Sequence, residues 1–182
     1  MYPNTQLPGS LWYHDHSMGS TGFNVKKGLS GMYLIRNSTY ENIFPTGDYE
    51  KILLISLAHG VPSNTNQTIE NDPKNHSQET FFNNGLKSDA YYRFRILNSD
   101  YDGEYNNIRF QYKKANGSKG NLNFTIIAVD SAILKYHNDS SSTEDGFLLS
   151  DLQVSSFEMA SAERVDLLIK FPSELIPVNS TV

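Results

Sequence analysis

The 182-residue chain has no cysteine, a single tryptophan, and no apolar run approaching the roughly 20 residues that a membrane-spanning helix requires. Without cysteine there can be no disulfide framework, no cysteine-rich zinc site, no catalytic thiolate and no copper–thiolate centre. Concentrated charge is missing as well: 15 basic and 20 acidic residues leave a net charge of -5, with no long run of either sign. Nucleic acid and anionic membrane both need a concentrated basic face, so neither is the expected partner. No Gly-rich phosphate loop, Ser-His-Asp order, long amphipathic helix or internal repeat stands in the sequence. Met1-Tyr2-Pro3-Asn4 carries neither the basic nor the apolar region of a signal peptide.

Strands are what the chain does have. Lys51 to Leu57 is a short apolar run, predicting a strand buried on both faces. Tyr91 to Asn98 alternates, with Tyr92, Phe94 and Ile96 on one face and Arg93 and Arg95 on the other. Asn123 to Val129 is rich in β-branched residues, and Arg164 to Phe171 sets Val165, Leu167, Ile169 and Phe171 on one side. These predict half-buried strands. Asp102-Gly103, Asn116-Gly117, Lys119-Gly120 and Asp145-Gly146 read as chain reversals, because glycine accepts positive φ. The polar stretches from Pro62 to Gln78 and from His137 to Gly146 read as exposed loops. The expected fold is an all-β Greek-key sandwich. Residues 37–48, with a Pro, a Gly and an Asn-Ser-Thr triplet, interrupt the apolar patterns and predict an interdomain connection, which leaves 1–36 as one part and 49–182 as a complete domain.

Seven Asn-X-Ser/Thr triplets begin at Asn37, Asn66, Asn75, Asn116, Asn123, Asn138 and Asn179. Composition alone accounts for about three, so the excess points to a glycosylated protein that is secreted or held at the cell surface.

His14-Asp15-His16 is the one place where potential metal ligands cluster. Two imidazoles separated by one residue of extended chain can face one site, and imidazole suits copper, zinc and iron. A His-X-His pair arises by chance in about one such chain in eight, so the spacing needs its surroundings. Leu11-Trp12-Tyr13-His14-Asp15-His16-Ser17-Met18-Gly19, then Asn24-Val25, then Gly28-Leu29-Ser30-Gly31-Met32-Tyr33-Leu34-Ile35-Arg36, resembles the second copper motif of multicopper oxidases, in the branch of spore-coat laccases and bilirubin oxidases. Tyr92 to Asn98, Ile127 to Asp130 and Phe157 to Phe171 are similar, in the same order, to the second cupredoxin domain of that branch.

That resemblance implies a cupredoxin-like fold for residues 49–182, preceded in 1–36 by the end of a first cupredoxin domain. It implies that His14 and His16 each serve one copper of a type 3 pair, within a three-copper cluster between first and third domains. Such a cluster reduces dioxygen to water with electrons taken singly from a phenol-like reductant through a type 1 copper. The type 1 cysteine and six of the eight cluster histidines have no counterpart here, so the chain alone is expected to be inactive, with the first and third domains as its partners in the same product or another chain. Between Phe81 and Tyr91 the chain is shorter than the family pattern, as though one edge strand were reduced. The alternative is a non-catalytic, glycosylated cupredoxin-like binding or surface module.

Other candidates are weaker. Met18, beside aromatic residues, is expected to pack rather than bind metal. Asp15 could orient a ligating imidazole or face solvent. His59, His76 and His137 match no motif and are expected at the surface, while Glu163, Arg164 and Asp166 read as a structural ion pair near the sheet.

Overall fold

The computed structural model describes residues 2–56, 68–70, 87, 89–101, 105–113, 118–137, 147–148 and 152–172. The N-terminal part forms β1 (Gly9–His14), the six-residue helix α1 (Thr21–Lys26), β2 (Ser30–Ile35) and the one-turn helix α2 (Ser38–Glu41). Then come β3 (Glu50–Ser56), β4 (Thr68–Glu70), β5 (Tyr91–Asn98), β6 (Asn106–Ile108), β7 (Phe110–Lys113) and β8 (Lys119–Leu122). The remaining strands are β9 (Phe124–Val129), β10 (Ala132–Ile133), β11 (Tyr136–His137), β12 (Phe147–Leu148), β13 (Gln153–Val154), β14 (Phe157–Met159) and β15 (Arg164–Lys170). Among the described residues no helix is long and apolar enough to cross a membrane.

A mixed seven-stranded sheet runs β10-β9-β15-β5-β3-β4, with β13 also paired to β9. β3 lies parallel to β5, and parallel neighbours need a crossover rather than a tight hairpin. The antiparallel ribbons β7–β8 and β6–β14 supply the second layer. Period-two alternation sends Leu53, Ile55, Tyr92, Phe94, Ile96, Phe124, Val165, Leu167 and Ile169 from the sheet into one core. Leu122 and Met159 join it from the ribbons, and Ile108, Phe110 and Phe157 pack against it. The rings Phe94, Phe110, Phe124 and Phe157 follow one another at centroid distances of 5.2, 5.6 and 5.5 Å, the last two pairs edge-to-face as the ring quadrupoles favour.

The opposite face of the same sheet is ionic. Register places Arg95 beside Asp166 on β15 and Ile52 on β3, with Arg93 beside Glu50. Arg93 and Arg95 are 0% exposed and Asp166 is 1% exposed. Asp166 Oδ2 accepts from Arg93 Nη2 at 2.6 Å and Arg95 Nη1 at 3.0 Å, while its Oδ1 accepts from the Ser10 hydroxyl at 2.7 Å. Glu41 of α2 accepts from both guanidiniums, and Glu50 accepts from Arg95 and from the more exposed Arg36. Three guanidiniums therefore meet three carboxylates, and no charge in the cluster is left uncompensated. β1 and α2 form a cover over this face.

Several expectations change here. Arg93 and Arg95 sit on a strand buried on both faces, because the cover brings carboxylates to them. β3, by contrast, buries Leu53 and Ile55 fully but Ile52 and Leu54 only in part. The stretch 37–48 is not a bare connection: Glu41 and Phe44 are buried, and the Arg93 guanidinium lies 5.0 Å from the Phe44 ring centroid. Lys119-Gly120 lies in β8 rather than in a turn. The chain reverses between Lys113 and Lys119, which are register partners, and Asn116-Gly117 lies outside the described residues. The stretch from Pro62 to Gln78, apart from β4, is also outside them, as are 138–146 and 81–86.

Candidate metal centre

β1 and β2 pair antiparallel from Gly9↔Ile35 to His14↔Ser30, so His14 ends the ribbon and His16 follows two residues later. The two imidazoles are exposed, with ring centroids 6.0 Å apart and planes 28° from parallel. The Trp12 indole centroid lies 4.5 Å from the His14 ring, tilted by 33°. His14 Nδ1 is 2.7 Å from the backbone carbonyl of Asp15. A carbonyl can only accept, so Nδ1 carries the proton and the Nε2 lone pair is available to a metal. Among the described residues no group of three or more His, Cys, Asp or Glu converges.

Glycines explain how the motif closes. Gly28 takes φ +88°, where side chains are strained, and turns the chain from α1 into β2. A Cβ on Gly31 would stand 2.5 Å from the Tyr13 hydroxyl across the ribbon, so the phenol rests in the space that the missing side chain leaves. Gly9 has the same constraint against backbone, with the Ser131 carbonyl oxygen 2.8 Å from where its Cβ would be.

Asp15 touches neither imidazole through its carboxylate. Its oxygens accept from the Ser17 amide at 2.9 Å, the Ser17 hydroxyl at 2.9 Å and the Asn24 side-chain amide at 2.8 Å. The Asn24 bond first, then the Ser17 amide, hold the Asp15 carboxyl below the usual aspartate range. The imidazole is oriented by the Asp15 backbone instead. Met18, expected to pack beside the aromatic residues, is instead wholly exposed. Glu163 accepts from the Ala160 amide, Arg164 pairs with Asp130 at 3.1 Å, and Asp166 belongs to the buried cluster, so all three are structural. His137 lies in β11, while His59 and His76 are outside the described residues. The sequence reading missed Asn24 as a contributor, although it stands within the motif.

No family model matches the chain. Over 93% of its length the chain is 33% identical to a laccase of Bacillus stratosphericus and 30% identical to multicopper oxidase LPR1 of Arabidopsis thaliana. The chain is a relative of the multicopper oxidases. It spans about a third of the length of the curated relatives it matches, 33% of that laccase and 28% of LPR1. The McoA multicopper oxidase of Aquifex aeolicus superposes with a TM-score of 0.54 at 18% identity, covering 91% of this chain and 34% of that one. That likeness concerns the fold: this multicopper oxidase relative is an all-β, cupredoxin-like sandwich.

Proposed function

We propose that this multicopper oxidase relative contributes His14 and His16 to a type 3 copper pair, as a part of a laccase-like oxidoreductase. The observation that carries the reading is the pair of exposed, near-parallel imidazoles at the end of β1, with His14 Nε2 left free by the Nδ1 bond. The donor set fits copper, for which neutral imidazole is a good ligand, and it fits as part of a site. Copper, when bound, supplies the one-electron steps that couple oxidation of a phenol-like reductant to reduction of dioxygen to water. The protein's part here is to hold two imidazoles at fixed spacing, with the correct ring nitrogen presented. Further ligands and a type 1 thiolate come from first-domain and third-domain residues outside these 182, in the same product or in a partner chain. On this reading residues 1–36 close a first cupredoxin domain and 49–182 form the second. Exposed Asn37 and Asn123 fit a glycosylated protein of the secretory route or cell surface.

Two imidazoles alone leave most of a copper ion's coordination to water, so the isolated chain binds Cu(II) weakly and turns over no phenolic dye. Titration followed by electron paramagnetic resonance should show two nitrogen ligands, reduced in both His14→Ala and His16→Ala. Polypeptides carrying the other copper motifs should restore strong loading and dye oxidation. Turnover by the chain alone overturns the ligand count. A stable complex without copper loading favours the non-catalytic binding module.

A further inference from the structure

We propose that Asn24 is a positioning residue for the copper pair, acting through the carboxylate of Asp15. The inference rests on the assignment of His14 and His16 and concerns what fixes their spacing. β1 stops at His14, so the strand no longer dictates the backbone that carries His16. What replaces it is a turn closed by a side chain: Asp15 Oδ2 accepts from the amide of Ser17, two residues on, as in an Asx-turn. The direction of the chain through His16 therefore depends on the rotamer of Asp15.

Asn24 sets that rotamer. Its side-chain amide donates to Asp15 Oδ2 at 2.8 Å in a half-buried contact. Asn24 is itself held from both sides, its amide donating to the Ser20 carbonyl at 2.9 Å and its carbonyl accepting from Leu29 at 3.0 Å. Leu29 returns to the same turn, its carbonyl accepting from the Asp15 amide at 3.0 Å. The clamp thus joins the end of β1, helix α1 and the start of β2 around one carboxylate. No bond runs from Asn24 or from the Asp15 carboxylate to either imidazole. Their influence on the metal is geometric.

The test separates positioning from stability. Asn24→Asp keeps the shape of the side chain but sets a second carboxylate against Asp15, which should spread the turn. Cu(II) affinity should fall on the order of tenfold, the range seen when outer partners of metal ligands are removed. The two-nitrogen resonance signature should become heterogeneous, with the fold retained by circular dichroism. The reciprocal double variant Asp15→Asn/Asn24→Asp restores one donor facing one acceptor and should recover affinity. Ile169→Val, in the core on the far face of the sheet, should lower the melting temperature and leave copper affinity unchanged. Wild-type affinity in Asn24→Asp overturns the proposal, as does loss of affinity that merely tracks melting temperature in Asn24→Asp and Ile169→Val alike. If Asn24→Asp does not fold, Asn24→Ala, which removes the donor without adding charge, carries the test, and unchanged affinity there is equally fatal. A copper-free readout keeps this apart from the copper assignment: imidazole nitrogen-15 shifts should report one dominant His14 tautomer, protonated at Nδ1, in the wild type and tautomer averaging in Asn24→Asp. Wild-type copper binding that is indifferent to His14→Ala and His16→Ala would sink the copper assignment while this spectrum still decides the clamp.

Discussion

Asp166→Ala is the most informative single change to the fold. Asp166 accepts four hydrogen bonds, from the Ser10 hydroxyl, Arg93 Nε, Arg93 Nη2 and Arg95 Nη1, at 2.7, 3.2, 2.6 and 3.0 Å. Its removal leaves three guanidiniums against two carboxylates, and both affected guanidiniums are 0% exposed, beyond the reach of solvent. Breaking a buried ion pair by deleting one partner costs about 3–5 kcal/mol, mostly the desolvation of the charge left behind. A domain's whole stability is about 5–15 kcal/mol, so the variant should be marginal. In urea, with a slope of about 2 kcal/mol per M, the midpoint should fall by about 2 M. Lys170→Ala is the control, because its pair with Asp89 is 3.9 Å long and half exposed, and surface pairs contribute about 0–1 kcal/mol. A midpoint shift in Asp166→Ala no larger than that of Lys170→Ala would refute the account of the cluster.

Three further outcomes are expected. Burial pushes the Glu41 and Glu50 carboxyls up, but bonds and charge from Arg95, Arg93 and Arg36 outweigh it and hold both below the ordinary glutamate range. Carboxyls with a lowered folded pKa stabilise fully above the unfolded value near about 4.3 and lose that contribution as pH falls through the folded value. Melting temperature should therefore drop on acidification below about pH 4, less steeply in Glu41→Gln. Gly9→Ala forces a Cβ onto the Ser131 backbone and should cost about 1–3 kcal/mol by denaturant melt. Gly31→Ala meets only the 60% exposed Tyr13 ring, which can swing away, so it should cost less than about 1 kcal/mol. If the chain traverses the secretory route in its own host, endoglycosidase should lower its mass, and Thr39→Ala should remove the Asn37 share without touching the Asn37 cap on α2. An unshifted band would withdraw the glycoprotein reading.

The long strands were legible because alternation is a local property. The bounds of β5 match the alternating run, and Val165, Leu167 and Ile169 of β15, with Phe171 just beyond its end, all lie in the core. The short ribbons were not, because β6 (Asn106–Ile108) and β8 (Lys119–Leu122) owe their conformation to pairing with β14 and β7 rather than to their own pattern. Helix α1 spans less than two turns, too few for a 3.6-residue period to show. His14 and His16 were legible as a pair through the motif around them. The clamp that spaces them was not, because Asp15 and Asn24 meet only once α1 has folded back beside β1.

Charge at alternate positions of a strand ordinarily marks a solvent face, and that rule misplaced Arg93 and Arg95. The signal that could have found them is complementarity: an Arg-X-Arg on one apolar strand, a lone Asp166 on another, Glu41 inside the expected connection and Glu50 just after it. Their burial costs desolvation that an apolar seam would avoid, so stability alone does not account for them. Direction does. Guanidinium–carboxylate forks accept one geometry where aliphatic contacts accept several. The cluster is bonded to Ser10, and the Arg164 guanidinium donates to the Ser10 carbonyl at 2.9 Å. Ser10 lies four residues before His14 on the same strand. The root of the hairpin that carries both imidazoles is therefore fixed in register on the sheet, while its tip is fixed by Asp15 and Asn24. On the proposed reading, in which the other ligands come from elsewhere, both ends of the hairpin need holding, since neither imidazole can correct the other's position once the partner residues arrive.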